Sequence, residues 1–72
     1  MRFETNRYEA SHGKAPKGFG LWMMTLTTWT GLRNEDFPFE FTGTLTEAKR
    51  AARAYSVKTF GKHMMVRATI LP

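Results

Sequence analysis

The residues able to do chemistry in this 72-residue sequence do not form a catalytic set. Its side-chain nucleophiles are serines and threonines. Neither His12 nor His63 stands in a Ser-His-acid arrangement. The acids are Glu4, Glu9, Glu35, Asp36, Glu40 and Glu47, and no two are spaced for proton transfer on a rigid element. Glu35-Asp36 falls in a turn, where a solvated charge pair is the ordinary outcome. Two histidines with no third ligand indicated do not make a metal site. The expectation is a protein that is not an enzyme and uses no cofactor or metal.

Binding chemistry is better represented. Ser11-His12-Gly13-Lys14-Ala15-Pro16-Lys17-Gly18-Phe19-Gly20 combines glycines, which expose backbone N–H groups, with the charges of Lys14 and Lys17. That suits a phosphate. It is not a P-loop, because Gly13-Lys14 has no Ser or Thr after it and no helix follows. A solvated connection between elements has the same composition. A second group, Lys49, Arg50 and Arg53, gathers on the helix side turned away from its apolar stripe. Arginine engages phosphate oxygens in pairs. Charged outer faces are usual for amphipathic helices, but this one has three cations, and the only nearby acid, Glu47, is committed to the helix cap. The third group lies on a sheet face: Leu21, Met23, Trp29, Met65 and Leu71, interleaved with Thr25, Thr27, His63 and Arg67. An apolar sheet face of this kind marks an interface. Methionine and leucine outnumber aromatics in it, which fits a protein partner or a second copy better than bases. Met23, Trp29 and Met65 are the partner-binding candidates, and Arg67 joins the lysines and arginines as a phosphate ligand.

These groups must be positioned by few elements. Residues 1–10 contain Phe3, Thr5 and Tyr8 without a breaker and read as a strand. Residues 11–20 are too densely punctuated by Gly and Pro to be anything but loop. Residues 21–30 are the strongest strand signal, rich in Thr, Trp and Leu. After a turn over residues 31–36, Phe37-Pro38-Phe39-Glu40-Phe41 alternates strictly, and Pro38 marks a short edge strand. Thr44 followed by Glu47 is a capping box opening a helix. Leu45, Ala48, Ala52, Tyr55 and Thr59 form its docking stripe, and Gly61 stops it in left-handed conformation. Val57 and Phe60 fall off that stripe. Residues 63–71 close the chain as a strand, with Met64, Val66, Ala68 and Ile70 on one face. The expected fold class is α+β: an antiparallel sheet of three to four strands, ordered β-β-β-α-β, with one helix on one face. The expected core is Phe3, Trp22, Met24, Leu26, Phe37, Phe39, Phe41, Leu45, Ala48, Ala52, Tyr55, Met64, Val66 and Ile70.

The totals bound the rest. The chain has the length of one small domain, 1–72. With no cysteine it has no disulfide, and its stability must come from an apolar core. No apolar run approaches membrane-spanning length, and the reading is a soluble, cytoplasmic protein with no membrane partner. A net charge of +5 and a pI near 10.1 suit anionic partners.

Size, lack of cysteine and the strand–strand–helix–strand layout resemble small accessory proteins of phages and mobile elements, including some anti-CRISPR proteins and inhibitors of host RNA polymerase. The resemblance lies in layout and assigns no role to any residue. It implies a non-catalytic protein that blocks a host nucleic-acid machine by occupying a surface. Two functions follow from the sequence. One is a nucleic-acid module using Lys14, Lys17, Lys49, Arg50, Arg53 and Arg67 on phosphates, for DNA or RNA. The other is a protein-interaction module, bound to a host protein complex or to itself as a homodimer, through the open sheet face.

Overall fold

A computed structural model describes residues 1–72. Six elements follow one another: β1 (Arg2–Glu4), α1 (Asn6–His12), β2 (Phe19–Thr30), β3 (Arg33–Thr44), α2 (Leu45–Phe60) and β4 (Met65–Ile70). The fold is α+β, with a four-stranded sheet in the order β1-β4-β2-β3. Its centre is antiparallel, since β2 pairs β3 on one side and β4 on the other. The sheet as a whole is mixed, because β1 runs parallel to β4, with Phe3 beside Ala68.

Alternation along β2 divides the molecule. Trp22, Met24 and Leu26 point to the face that α2 covers, and with Leu45, Ala48, Ala52, Val66, Ala68 and Ile70 they form the buried core. Phe3, Phe37, Phe39, Phe41, Phe60 and Met64 pack around it, half-buried. The capping box forms as the sequence predicts: Glu47 N–H donates to Thr44 Oγ1 at 3.1 Å, and Thr44 N–H donates to Glu47 Oε1 at 2.9 Å. The buried stripe, however, is Leu45, Ala48, Ala52 and Ser56, and continues to Phe60 rather than to Thr59. Phe60 packs against Phe37 with ring centres 4.9 Å apart and planes tilted by 46°, so it belongs to the docked side after all. Tyr55 touches Phe39 at 5.3 Å but keeps 38% of its surface in solvent, on the helix flank above β3, and is not part of the buried core. Gly61 does end the helix with a positive φ of 91°, but its ψ of 153° is extended rather than left-handed helical.

Three further expectations are corrected. Residues 1–10 are not one strand, because the chain leaves β1 after Glu4 and winds into α1. Gly13 ends that helix in left-handed conformation (φ 71°), donating its N–H to Glu9 O at 2.8 Å, and His12 stacks on Tyr8 one turn back at 4.0 Å. The connection to β2 therefore shrinks to residues 13–18. The second difference is β3, which is twelve residues long and follows a two-residue turn, Gly31-Leu32. Gly31 has φ 63°, and its missing side chain suits the first position of such a hairpin turn. Pro38 does sit on the edge strand, where no ladder N–H is needed. Finally, β4 starts at Met65 rather than at His63.

Candidate nucleic-acid interface

One end of the sheet gathers α1, the start of β2, the end of β3, the start of α2 and the end of β4. Two contacts fasten it. The Trp22 indole N–H is shared between Gly18 O (3.3 Å) and Gly43 O (3.1 Å). Leu45 N–H, the first of α2, donates to Gly18 O at 3.0 Å. These bonds satisfy a helix N–H that has no partner inside the helix. They also pin the loop carrying Lys14 and Lys17 against the start of α2, with both lysines exposed.

The cations of α2 are placed differently from expectation. Lys49 and Arg53 do not point away from the docked stripe. They flank it on the β1 side and lie over the Phe3 ring, Lys49 Nζ at 5.4 Å and the Arg53 guanidinium at 4.9 Å from its centre. β1 is the reason, since this short strand extends the sheet under that flank and gives the two long stems an apolar floor. Lys49 is half-buried as a result, whereas Arg50 is fully outward. Further along the same flank, Arg53 and Lys62 share a cleft of about 130 Å³ with Ser56, Met64 and Val66. A line of positive charge thus runs from Lys49 past Arg53 to Lys62, with Lys14 and Lys17 at its α1 end. Glu47 adds no free acid here. Its carboxyl is held below the ordinary glutamate range, mainly by the Thr44 backbone N–H, then by the Thr44 hydroxyl and the nearby Arg50 charge.

Arg67 belongs to the other side of the molecule. It projects from β4 on the open face, 5.2 Å above the Trp29 ring, and pairs across the ladder with Thr27. The partner-binding candidates also separate. Trp29 and Met65 are cross-strand neighbours near the β2–β3 turn. Met23 lies six residues back along β2, roughly 20 Å away at strand rise, beside Leu21 and Leu71. Between the two apolar ends is a basin of about 400 Å³ lined only by polar residues: Arg7, Thr25, Thr27, Asn34, Asp36, Arg67 and Thr69. Thr27 donates its hydroxyl to Asp36 Oδ1 there at 2.7 Å. The open face is therefore not one apolar patch. His12 and His63 lie at opposite ends of the sheet and do not meet.

Sequence reasoning weighed His12 only for catalysis and metal binding and gave the rings of Tyr8, His12 and Phe19 no ligand contact. With Lys17, Trp22 and Leu71 they line a cleft of about 240 Å³ at the α1 end. The available signal was Gly13 directly after a basic residue, the mark of a helix stop. Scans against protein-family models, curated proteins and solved structures find no match to this chain. No helix is long and apolar enough to cross a membrane.

Proposed function

We propose that this protein is a small, cytoplasmic, non-enzymatic module that binds nucleic acid by contacts to the phosphate backbone. The observation that carries this reading is how charge is sorted over the fold. The loop 13–18 and α2 hold Lys14, Lys17, Lys49, Arg50, Arg53 and Lys58 against one acid, Glu47, which is engaged in the cap. Three of the six acids, Glu35, Asp36 and Glu40, lie on β3, the sheet edge farthest from β1. A polyanion is thereby favoured on the α2–β1 flank and repelled from the β3 edge. Packing of Lys49 and Arg53 on Phe3 restrains their stems before any ligand arrives, which lowers the entropy cost of ordering them. No element is shaped to read base edges in a groove, so affinity should depend little on sequence.

Fluorescence anisotropy with labelled DNA and RNA at about 50 and 200 mM salt tests the assignment. Affinity should fall steeply with salt, each neutralised phosphate contributing roughly 0.7–0.9 to the slope. Replacing Lys49 and Arg53 by Gln and Arg50 by Glu should weaken binding and flatten that slope by two to three contacts, at unchanged melting temperature. Gln preserves part of the apolar stem over Phe3. Unchanged affinity in that variant would reject the site.

A second reading is favoured by Met65, which is 71% exposed, and by Leu21 and Met23. In it the open face holds a host protein, as a phage-type inhibitor of a nucleic-acid machine would, or a second copy of the chain. Met23→Glu or Met65→Glu would then abolish association without unfolding the domain. The polar basin between the two apolar ends makes this face a poorer seat for a protein than a continuous patch would be.

A further inference from the structure

We infer that the cleft at the α1 end seats an unpaired nucleobase, so that the protein prefers single-stranded over double-stranded nucleic acid; this rests on the nucleic-acid reading above. Phe19 opens β2 with 76% of its surface in solvent. No packing requirement explains it, since it lies outside the core and its neighbour across the ladder is Thr44. Glycine stands on both sides of it, and Gly18 is accounted for by its positive φ of 90°. A Cβ at Gly20 would meet nothing within 4 Å, and Gly20 has no positive φ, so neither crowding nor backbone geometry calls for glycine there. A glycine inside a strand often marks a bulge, a bend or a place where a ligand or another backbone comes close, and the open space beside Gly20 leaves room for a ligand.

The cleft beside these residues has the chemistry of a base seat. Tyr8 and His12 stack at 4.0 Å with their planes 17° apart, and Tyr8 leans on Trp22 at 5.8 Å. The stack and the Phe19 ring offer aromatic surface to a flat ligand, and Lys17 among the lining side chains supplies the charge for its phosphate. At about 240 Å³ the space is smaller than the roughly 300–1,000 Å³ of drug-type sites and suits one ring system. Lys17 to Gly20 match the first half of the aromatic strand motif used by sheet-type RNA binders, and the second half departs from it, with Leu21, Trp22 and Met24 where the motif has Phe, Val and an aromatic. Bases inside a duplex are stacked on each other and cannot enter such a cleft.

The test titrates the intact chain with labelled twelve-nucleotide single strands of RNA and of DNA, and with the twelve-base-pair duplex, at about 50 mM salt. The single strands should bind at least tenfold tighter than the duplex. Phe19→Ala should weaken single-strand binding by about tenfold, the size of one lost base stack. Duplex binding and melting temperature should not change, and Phe19→Tyr should restore the affinity. The RNA and DNA arms show whether the 2′-hydroxyl contributes. Single strands bound no better than duplex, or bound equally by Phe19→Ala, would overturn the base seat while leaving the phosphate-binding function standing. Absence of binding to any of the three would overturn both.

Discussion

The two faces of β2 are built from alternate residues of one strand, yet they follow different rules. On the covered face, Met24 and Leu26 are almost completely buried and meet Ile70 and Ala68 across the ladder. On the open face, Thr25 and Thr27 meet Thr69 and Arg67, and hydroxyls and guanidinium groups fill the centre. The covered face spends its aromatics on packing, with Phe37 and Phe39 against Phe60 and Tyr55. The open side leaves Phe19 unpacked in solvent. Stability is therefore concentrated on the covered face, and the open face keeps the Phe19 ring available to a ligand.

Substitutions can break or sharpen that contrast. The largest effect should come from Leu26→Ala, which opens a cavity under α2 and should cost about 3 kcal/mol in denaturant unfolding. Thr42→Ala, exposed on the open side, should stay within about 0.5 kcal/mol in the same assay. Equal costs would mean that the open face is as structural as the covered one. Next comes Gly43→Ala, where α2 is launched. A Cβ there would lie 2.7 Å from the Phe41 ring and 2.9 Å from Glu47 Oε1, so we expect a loss of about 1–3 kcal/mol.

The smallest loss above the Thr42→Ala background concerns the cap itself. Thr44→Ala should cost about 1 kcal/mol near neutral pH. Because Glu47 has its pKa lowered in the folded state, its contribution is complete above the unfolded carboxyl's pKa and is lost as pH falls through the folded value. The difference between wild type and Glu47→Ala, which removes the carboxylate that Thr44 N–H donates to, should shrink over that acidic range when followed by thermal melting. A difference constant with pH would show that the Glu47 half of the box contributes nothing.

Local chemistry explains what was legible in the sequence. The capping box at Thr44 and Glu47, the alternation of Phe37, Phe39 and Phe41, and Pro38 on an edge are signals between near neighbours. The structure holds all three. α1 was hidden because seven residues make only two turns, and its Thr5 cap makes no side-chain bond to the helix backbone. The charged run from Arg33 to Asp36 resembled a turn, but an edge strand tolerates charge on its solvent side. The placement of Lys49 and Arg53 was illegible for a different reason. A helical wheel shows which residues share a side, but not that β1 returns from the far end of the chain to lie beneath it. Phe19 was hidden because Gly18 and Gly20 beside it read as loop punctuation, although β2 begins at Phe19.

The three-residue ladder between β1 and β4 joins segments almost a whole chain length apart. By contrast, the β2–β3 hairpin closes over two residues. Loop-closure entropy falls almost entirely on the first of these pairings, so β1 should be the last strand to join during folding. It should also be the first to come away in native-state hydrogen exchange. When it leaves, Phe3 is withdrawn from beneath Lys49 and Arg53, and two tethered cations become mobile. The protein's slowest-forming pairing thus sets how rigidly its most basic flank is held.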